Sequence, residues 1–321
     1  MRTLGQSGGD ATDLATISHE APCATQALPF CEPSTPRFEA GRVDRCKSES
    51  FRALPSVPGL LVRTLSVTET YSASKAIGRM LKMDPSCRFK GPSPLMQSRG
   101  IKIIYILNGW ACFDIDGLGE TRLEAGTLAC LPPNNCHRLV DGALSFEDIE
   151  YELPFLTSSL KKTWSVEGAS CATPSMIDAE TPKSFRHIPN FVGAVERRFP
   201  IVEEITGGAA NASVLRNNPP HIWDGTPWHI HHNNFFCSVF AKGSGTMEYE
   251  GFGEVTLNRG DVFIQQGEVR HREVLFSPDF ETFKIELPGS NPTTVLVYDK
   301  DTGGYKSMLF ASAQDSAEAM A

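Results

Sequence analysis

From Leu60 onward, short runs of apolar residues alternate with turns rich in glycine, proline, asparagine and aspartate. Runs such as Ile103–Leu107 and Val262–Ile264 have the length of strands, and the glycines between runs allow the positive φ of tight turns. This spacing favours an all-β sandwich or barrel. One stretch departs from it, because Ser72–Met83 (SASKAIGRMLKM) has spaced apolar residues and good helix formers and predicts a helix.

The same β-rich pattern occurs twice. A stretch from Ile103, IIYILNGWACFDIDGLGETRLEAGTLACLPPNNCHRLV, aligns without a gap with a stretch from Cys237, CSVFAKGSGTMEYEGFGEVTLNRGDVFIQQGEVRHREV, at an offset of 134 residues. FEDIEYELP and FETFKIELP then meet at the same offset. So many coinciding turn positions indicate a duplicated domain. The coinciding residues include Gly109 with Gly243, Gly117 with Gly251, Gly119 with Gly253, Gly126 with Gly260, and His137 with His271.

Two copies of such a unit predict an all-β fold of two tandem jelly-roll barrels. The segment before them is rich in Ser, Thr, Pro, Gly and Ala and has little periodic apolar pattern, which predicts a disordered N-terminal leader. The predicted divisions are a leader over residues 1–52, an N-terminal barrel over 55–160, a linker over 161–189, a C-terminal barrel over 190–300 and a tail over 301–321.

Composition narrows the classes of function. The 321 residues are enough for two ordinary cores and carry a formal charge of −8. The chain has no Lys/Arg block of the kind that neutralises phosphates, so neither nucleic acid nor a membrane surface is expected as a partner. The start does not resemble a signal peptide and no apolar run is long enough to span a bilayer, so we expect a soluble cytoplasmic protein.

The strongest candidate chemistry is a set of histidines in the second copy. In TPWHIHHNN, His229 and His231 are separated by one residue, so on a strand their rings point to one face while His232 points to the other. His271 lies eleven residues after the turn glycine Gly260, at the end of the next hairpin. In a barrel this spacing brings three imidazoles to one mouth, where they can cap a divalent metal.

With these motifs the sequence resembles the cupin superfamily, whose first motif is approximately G-x5-HxH-x3-4-E-x6-G and whose second is G-x5-PxG-x2-H-x3-N. Gly243 matches the closing glycine of the first motif, and Gly260 and His271 match the ends of the second. The chain departs from the pattern in three ways. Phe235 and Phe236 stand where the carboxylate ligand would fall, QGE replaces PxG, and no Asn follows the last histidine at the family spacing.

The resemblance covers both barrels and implies a bicupin whose C-terminal barrel keeps a three-histidine metal site. Such sets occur in cupin-type thiol and ring-cleaving dioxygenases, and a neutral three-nitrogen shell suits Fe(II), with Zn, Ni, Mn or Cu as alternatives. A fourth ligand could come from Gln265, Gln266 or Glu281, and strand phase alone does not decide among them.

Aromatic residues flank the histidines and predict an apolar pocket for an aromatic or polyketide-like substrate. Ordinary barrel packing would use the same residue types. The charged side chain of Lys284 is expected to face solvent. The predicted pocket residues are Trp223, Trp228, Phe235 and Phe236.

The first copy lacks most of the histidine set. Opposite the HIH segment it has LMQS over Leu95–Ser98, and His137 alone remains. A lone histidine cannot hold a metal, so the N-terminal barrel is predicted to be a scaffold and interface partner that could still bind an apolar ligand.

Two classes of function follow. The first is a metal-dependent oxidoreductase, a non-haem iron dioxygenase in which substrate and O2 take the open metal positions. Here the resemblance extends to cupin-domain oxidoreductases of fungal polyketide pathways that make salicylaldehyde- and patulin-type compounds, which implies a small aromatic or partly reduced polyketide substrate in secondary metabolism. A redox-silent metal would instead serve isomerisation or cyclisation.

The second class is a non-catalytic bicupin that binds a small molecule and has vestigial histidines, which the missing glutamate favours. In either case, pairing through barrel edges predicts a homodimer.

Overall fold

The computed structural model describes residues 37–38, 41–47, 50–70, 74–153, 175–177, 185–187, 193–206, 208, 210–221, 223, 225–232, 235–265, 269–287, 289, 293–299 and 304–310. Within these residues the chain forms 25 strands and one short helix, and every strand pairing is antiparallel. The all-β expectation is therefore confirmed.

The N-terminal half begins with two short strands and continues into a barrel. Its strands are β1 (Arg37–Phe38), β2 (Gly41–Asp44), β3 (Arg52–Ala53), β4 (Leu60–Thr70), β5 (Ser74–Met83), β6 (Met96–Gln97), β7 (Ile101–Asn108), β8 (Trp110–Ile115), β9 (Gly119–Glu124), β10 (Leu128–Leu131), β11 (Cys136–Gly142) and β12 (Glu147–Leu153).

The C-terminal half has three further strands, β13 to β15, followed by the strands of a second barrel. It contains β13 (Ser175–Ile177), β14 (Arg186–His187), β15 (Ala194–Arg198), α1 (Pro200–Thr206), β16 (Asn211–Asn217), β17 (His229–His231), β18 (Phe235–Lys242), β19 (Ser244–Tyr249), β20 (Gly253–Asn258), β21 (Val262–Gln265), β22 (Arg270–Phe276), β23 (Glu281–Leu287), β24 (Thr293–Asp299) and β25 (Gly304–Phe310).

Each barrel consists of a larger and a smaller sheet. In the N-terminal barrel the orders are β13-β10-β7-β12-β5-β4-β3 and β6-β11-β8-β9. In the C-terminal barrel they are β1-β2-β21-β18-β23-β16-β15-β14 and β20-β19-β22-β17-β24-β25. Each pair of sheets encloses its own apolar core, because side chains such as Ile104 and Phe113 in one barrel, or Phe263 and Met247 in the other, come from facing sheets.

The two larger sheets pack back to back and join the barrels through a third apolar core. The rings of Tyr105 and Phe283 are stacked with their centroids 4.6 Å apart. The hydroxyl of Tyr151 lies 2.7 Å from Sγ of Cys237. Since side chains alternate along a strand, the residues of β12 that face the other barrel alternate with charged residues that point into their own barrel.

One buried arginine ties three parts of the chain together. Arg63 on β4 donates to the carbonyl oxygens of Gly260 (2.6 Å) and Asp44 (2.8 Å), and its guanidinium pairs with the Asp44 carboxylate at 3.1 Å. The N-terminal barrel, the arm strand β2 and a turn of the C-terminal barrel therefore share one charged contact.

The structure corrects several local predictions. Ser74–Met83, expected to be helical, is strand β5. Gly41–Asp44, inside the predicted disordered leader, pairs with β21 of the C-terminal barrel, while residues 1–36 lie outside the described residues. The predicted linker contributes β13 and β14, and the predicted tail contributes β25, which pairs with β24. No helix among the described residues has the length and apolarity needed to cross a membrane.

Candidate metal centre

The three predicted histidines meet on one face of the smaller C-terminal sheet. His229 on β17 lies directly opposite His271 on β22 in an antiparallel register, and strand alternation brings His231 to the same face. The ring centroids are 4.3 Å apart for His229 and His271, 4.8 Å for His229 and His231, and 5.1 Å for His231 and His271. Their ligating nitrogens all lie within 4.8 Å of one another.

Hydrogen bonds on the far side of the rings fix their orientation. Nδ1 of His229 lies 3.0 Å from the Pro227 carbonyl oxygen, and Nδ1 of His271 lies 2.9 Å from the Val269 carbonyl oxygen. A carbonyl oxygen only accepts, so both Nδ1 atoms donate and each Nε2 keeps its lone pair. Nδ1 of His231 lies 3.0 Å from the Thr293 hydroxyl. Such outer partners hold histidines in the orientation that metal ligation requires.

Two of the histidines are kept neutral by their surroundings. Burial, followed by the charge that His229 would carry, lowers the pKa of His271 to about 3. Burial also holds the pKa of His231 well below its ordinary value, and charges on His229, His271 and Lys284 act in the same direction. A metal ion therefore meets imidazoles that do not need to release a proton at neutral pH.

The donor set fits a divalent transition metal. Ligands at about 2.0–2.2 Å from one ion lie about 3–4 Å from each other, so donors already within 4.8 Å need only small ring rotations to share an ion. Neutral imidazole nitrogens suit Fe, Zn, Cu or Ni better than Mg or Ca. Within the described residues, these three histidines are the group of ligating side chains that lies close enough to hold an ion.

Aromatic rings pack against two of the three histidines. The ring of Phe236 stacks on His231 with the centroids 5.6 Å apart, and the ring of Tyr249 stacks on His271 at 5.5 Å. Both aromatic side chains are buried. They exclude water from two sides of the histidine cluster.

A charged wall lies on β23. Lys284 points into the barrel, where its Nζ lies 2.9 Å from Glu196 and 3.7 Å from Glu286, and its side chain is only 14% exposed. The expectation that Lys284 faces solvent is therefore wrong. Its neighbours along the strand, Phe283 and Ile285, face the other barrel, so alternation turns the lysine inward.

The predicted apolar pocket is only partly formed by the residues named for it. Phe236 contacts the histidine cluster. Trp223 instead packs in the core against Phe276, with the ring centroids 4.5 Å apart. Trp228 lies on the outer face, with the guanidinium groups of Arg270 and Arg272 each 5.2 Å from its ring. The side chain of Phe235 lies outside the described residues.

The proposed fourth ligands have other positions. The amide of Gln265 lies 3.1 Å from Nδ1 of His271, the ring nitrogen that faces away from the cluster. Glu281 pairs with Lys242 at 3.0 Å, at the opposite end of β23 from the histidines. Gln266 lies outside the described residues. His232 points away as predicted by alternation, with Nε2 2.7 Å from the Thr294 hydroxyl.

A carboxylate that the sequence reasoning missed lies beside the cluster. Oε2 of Glu273 is 3.7 Å from Nε2 of His229, and the Thr226 hydroxyl donates a hydrogen bond to the same oxygen. Burial raises the pKa of Glu273, but the electrostatic interactions with His229 and His271 and the bond from Thr226 outweigh it, so the pKa lies below its ordinary value. The internal repeat carried a signal, because the 134-residue offset pairs Glu273 with Leu139.

The corresponding place in the N-terminal barrel holds an ionic cluster instead. His137 lies opposite Met96, where the other barrel pairs two histidines. Nζ of Lys102 lies 2.8 Å from Nε2 of His137 and 2.9 Å from the Glu150 carboxylate, which also pairs with Arg79. Within the described ranges, no group of potential metal ligands occurs in this barrel.

No model of a known protein family and no curated protein sequence matches the chain. Solved structures do match it over most of its length. A Pseudomonas aeruginosa protein described as glyoxylate-induced shares 10% identity with a TM-score of 0.60, covering 82% of this chain and 94% of that one. A salicylate 1,2-dioxygenase variant from Pseudoaminobacter salicylatoxidans shares 12% identity with a TM-score of 0.53, covering 73% and 80%.

A second structure of that dioxygenase, with gentisate adducts, shares 12% identity with a TM-score of 0.52, covering 73% of this chain and 76% of that one. At such identities the likeness concerns the fold alone. Together with the two barrels described above, it shows that this chain has the fold of two tandem cupin barrels.

Proposed function

We propose that the protein is a metal-dependent oxygenase with ferrous iron held in its C-terminal barrel by His229, His231 and His271. The observation that carries this proposal is the convergence of three imidazoles with two of their Nδ1 atoms bonded to backbone carbonyls. A neutral three-nitrogen set with open positions opposite suits Fe(II). When bound, the iron would supply a redox-active Lewis acid for a substrate and dioxygen.

The residues around the cluster have distinct tasks in this proposal. The carbonyl oxygens of Pro227 and Val269 hold two rings with Nε2 facing inward. Phe236 and Tyr249 keep water out and offer flat apolar surfaces against which an aromatic ring can lie. Lys284, on the inward face of β23, adds a cation that can orient a carboxylate or phenolate group.

These walls support a small aromatic substrate that carries an acidic oxygen group. The solved structures of similar fold include a salicylate 1,2-dioxygenase and its adducts with gentisate, both small aromatic acids. An aromatic product of polyketide assembly, as expected from the sequence resemblance, belongs to the same chemical class.

Metal analysis combined with oxygen consumption tests the proposal. We expect the protein reconstituted with Fe(II) to hold one iron per chain and to consume O2 in the presence of an aromatic acid from a panel that includes salicylate and gentisate. His229→Ala and His271→Ala should lose both properties, whereas His232→Ala should keep the iron, because its ring faces away from the cluster.

Two results would overturn the proposal. One is a folded protein that binds no transition metal at micromolar concentrations, which would leave small-molecule binding as the function. The other is a pair of His229→Ala and His271→Ala variants that retain full iron content and turnover. Turnover without O2 uptake would point to metal-assisted isomerisation or cyclisation instead.

A further inference from the structure

Glu273 is placed to act together with the histidines. It follows His271 by two residues on β22 and therefore points to the same face of the strand. The register between β19 and β22 shifts immediately after Glu273, since Met247 pairs with Glu273 and Thr246 with Leu275, leaving Val274 as the extra residue of a bulge. Bulges of this kind occur next to active sites, where they direct a side chain.

The duplication shows that the fold itself does not require a carboxylate here. In the N-terminal barrel, Phe113 pairs with Leu139 and the register shifts at Val140. These residues correspond, at the 134-residue offset, to Met247, Glu273 and Val274 of the C-terminal barrel, where the same pairing and shift occur. Leu139 is 1% exposed and belongs to the apolar core. The barrel that gathers three histidines therefore has a carboxylate where the other barrel buries a leucine, although a buried carboxylate is costly unless it meets a positive partner.

The distance of the carboxylate from the cluster suits a shared ion. Oε2 of Glu273 lies 3.7 Å from Nε2 of His229, which is the nitrogen turned away from the Pro227 carbonyl. Two ligands at about 2.0–2.2 Å from one metal, separated by 90–120°, lie about 3.0–3.7 Å apart. The carboxylate of Glu273 therefore lies at a distance from His229 that two ligands of one ion can have.

Thr226 holds the carboxylate in this position. Its hydroxyl donates to Oε2 of Glu273 and accepts a hydrogen bond from the Glu273 backbone N–H at 3.0 Å. The threonine thus holds both the backbone and the carboxylate of Glu273 in place.

We propose that Glu273 is a metal ligand that completes a shell of three histidines and one carboxylate, with Thr226 as its positioning residue. The inference rests on the proposed function. The carboxylate would come from the strand of His271 rather than from the strand of Phe235 and Phe236, where the cupin motif places it.

The test is the affinity and spectrum of a metal in variants that keep the fold. Glu273→Leu copies the residue of the N-terminal barrel and is therefore expected to fold, and Glu273→Gln serves as a second variant of nearly the same shape. Glu248→Gln is the matched control, because Glu248 lies on a neighbouring strand and pairs with Arg272 on the outer face. Co(II) is the probe, since its visible absorption reports the number and type of ligands.

We expect both Glu273 variants to weaken Co(II) binding at least about tenfold and to change the absorption spectrum, while Glu248→Gln changes neither. Thr226→Val should give a smaller loss with an unchanged ligand count. Wild-type affinity and spectrum in both Glu273 variants, together with loss of Co(II) in His271→Ala, would overturn the role of Glu273 and leave the proposed function standing. Unchanged Co(II) binding in His271→Ala as well would overturn the proposed function itself.

Discussion

Nζ of Lys102 lies 2.8 Å from Nε2 of His137, beside the ring nitrogen whose counterpart in His271 faces the histidine cluster. A cation that belongs to the chain thus occupies the N-terminal barrel at the place where the C-terminal barrel gathers metal ligands. Glu150 balances it at 2.9 Å. At the 134-residue offset, Phe236 occupies the position of Lys102. The same position therefore carries an ammonium group in the N-terminal barrel and an aromatic ring in the C-terminal barrel.

Removing this internal cation should destabilise the protein strongly. Lys102→Met breaks a buried ion pair with Glu150 and takes away the donor to His137, which should cost about 3–5 kcal/mol of the free energy of unfolding. Lys242→Met is the matched control, because the side chain of Lys242 is 56% exposed and its pair with Glu281 should contribute less than about 1 kcal/mol. Chemical denaturation of both variants measures the difference. Equal losses would contradict the assigned role of the cluster.

The same cluster should make the protein sensitive to mild acid. Burial, with the charge of Lys102, lowers the pKa of His137 to about 3, so between about pH 6.5 and 3 the unfolded chain binds a proton that the folded chain does not. The contribution of His137 to stability therefore falls as pH falls through this window. Glu150, whose pKa is lowered to about 2, acts in the same direction only at pH values below about 4.5.

The His137→Gln variant isolates this contribution. Between pH 6.5 and 4.5 its free energy of unfolding should fall less steeply than that of the wild type, by about 1.4 kcal/mol per pH unit for the one proton removed. The slope should not vanish, because the pKa of His271 is also lowered to about 3. Urea titrations of the metal-free protein at several pH values provide the slopes. Parallel curves for the two proteins would refute the prediction.

Gln265 should matter to the metal without touching it. Its amide lies 3.1 Å from Nδ1 of His271 and its side chain is fully buried, so it packs against the ring that turns Nε2 inward. Gln265→Leu should weaken metal binding about 10–100-fold while keeping the same number of ligands. Competition with a chelator measures the affinity. A Co(II) spectrum that shows a lost ligand would instead make Gln265 part of the coordination shell.

Arg63 should couple the two barrels. Arg63→Met leaves the buried Asp44 carboxylate without its ion pair and removes the donor to the Gly260 carbonyl, which should cost about 3–5 kcal/mol. Arg63→Lys should cost less but still be measurable, because one ammonium does not reach all the acceptors of a guanidinium. Arg52→Met, on an exposed strand, should stay within about 0.5 kcal/mol. Thermal unfolding followed by calorimetry compares the three, and similar midpoints for Arg63→Met and Arg52→Met would show that the bridge is dispensable.

The repeat made the architecture predictable because its glycines obey a local constraint. Gly109 and Gly243 both have positive φ, at +67° and +63°. A Cβ on either would meet a serine hydroxyl, that of Ser145 in the turn after β11 or that of Ser277 in the turn after β22. Such positions admit few other residues, so they align between the two copies even where the strands differ. The histidine spacing was predictable for the same reason, since alternation along a strand is also local.

The predictions from sequence fail where packing between distant parts of the chain determines the structure. In β5, Met80 packs into the core between the barrels and Leu81 into the core of its own barrel, so both faces are apolar and the alternation that identifies a strand is lost. Nearness in sequence predicts that Trp228 lines the pocket, but it precedes His229 by one residue and alternation turns its side chain outward. The partner of β2 is β21, more than 200 residues away along the chain, and no local sequence pattern predicts this pairing.

That pairing of β2 with β21 has a consequence for how the protein can be divided. A fragment that starts at residue 190 would contain every proposed metal ligand, yet it would leave the backbone N–H and C=O groups of β21 bare along one side. An unpaired edge strand can pair with a strand of another molecule, so the isolated fragment should precipitate or form oligomers. The C-terminal barrel is therefore not an independent folding unit, because β2, which precedes both barrels in the sequence, covers the edge of its strand β21.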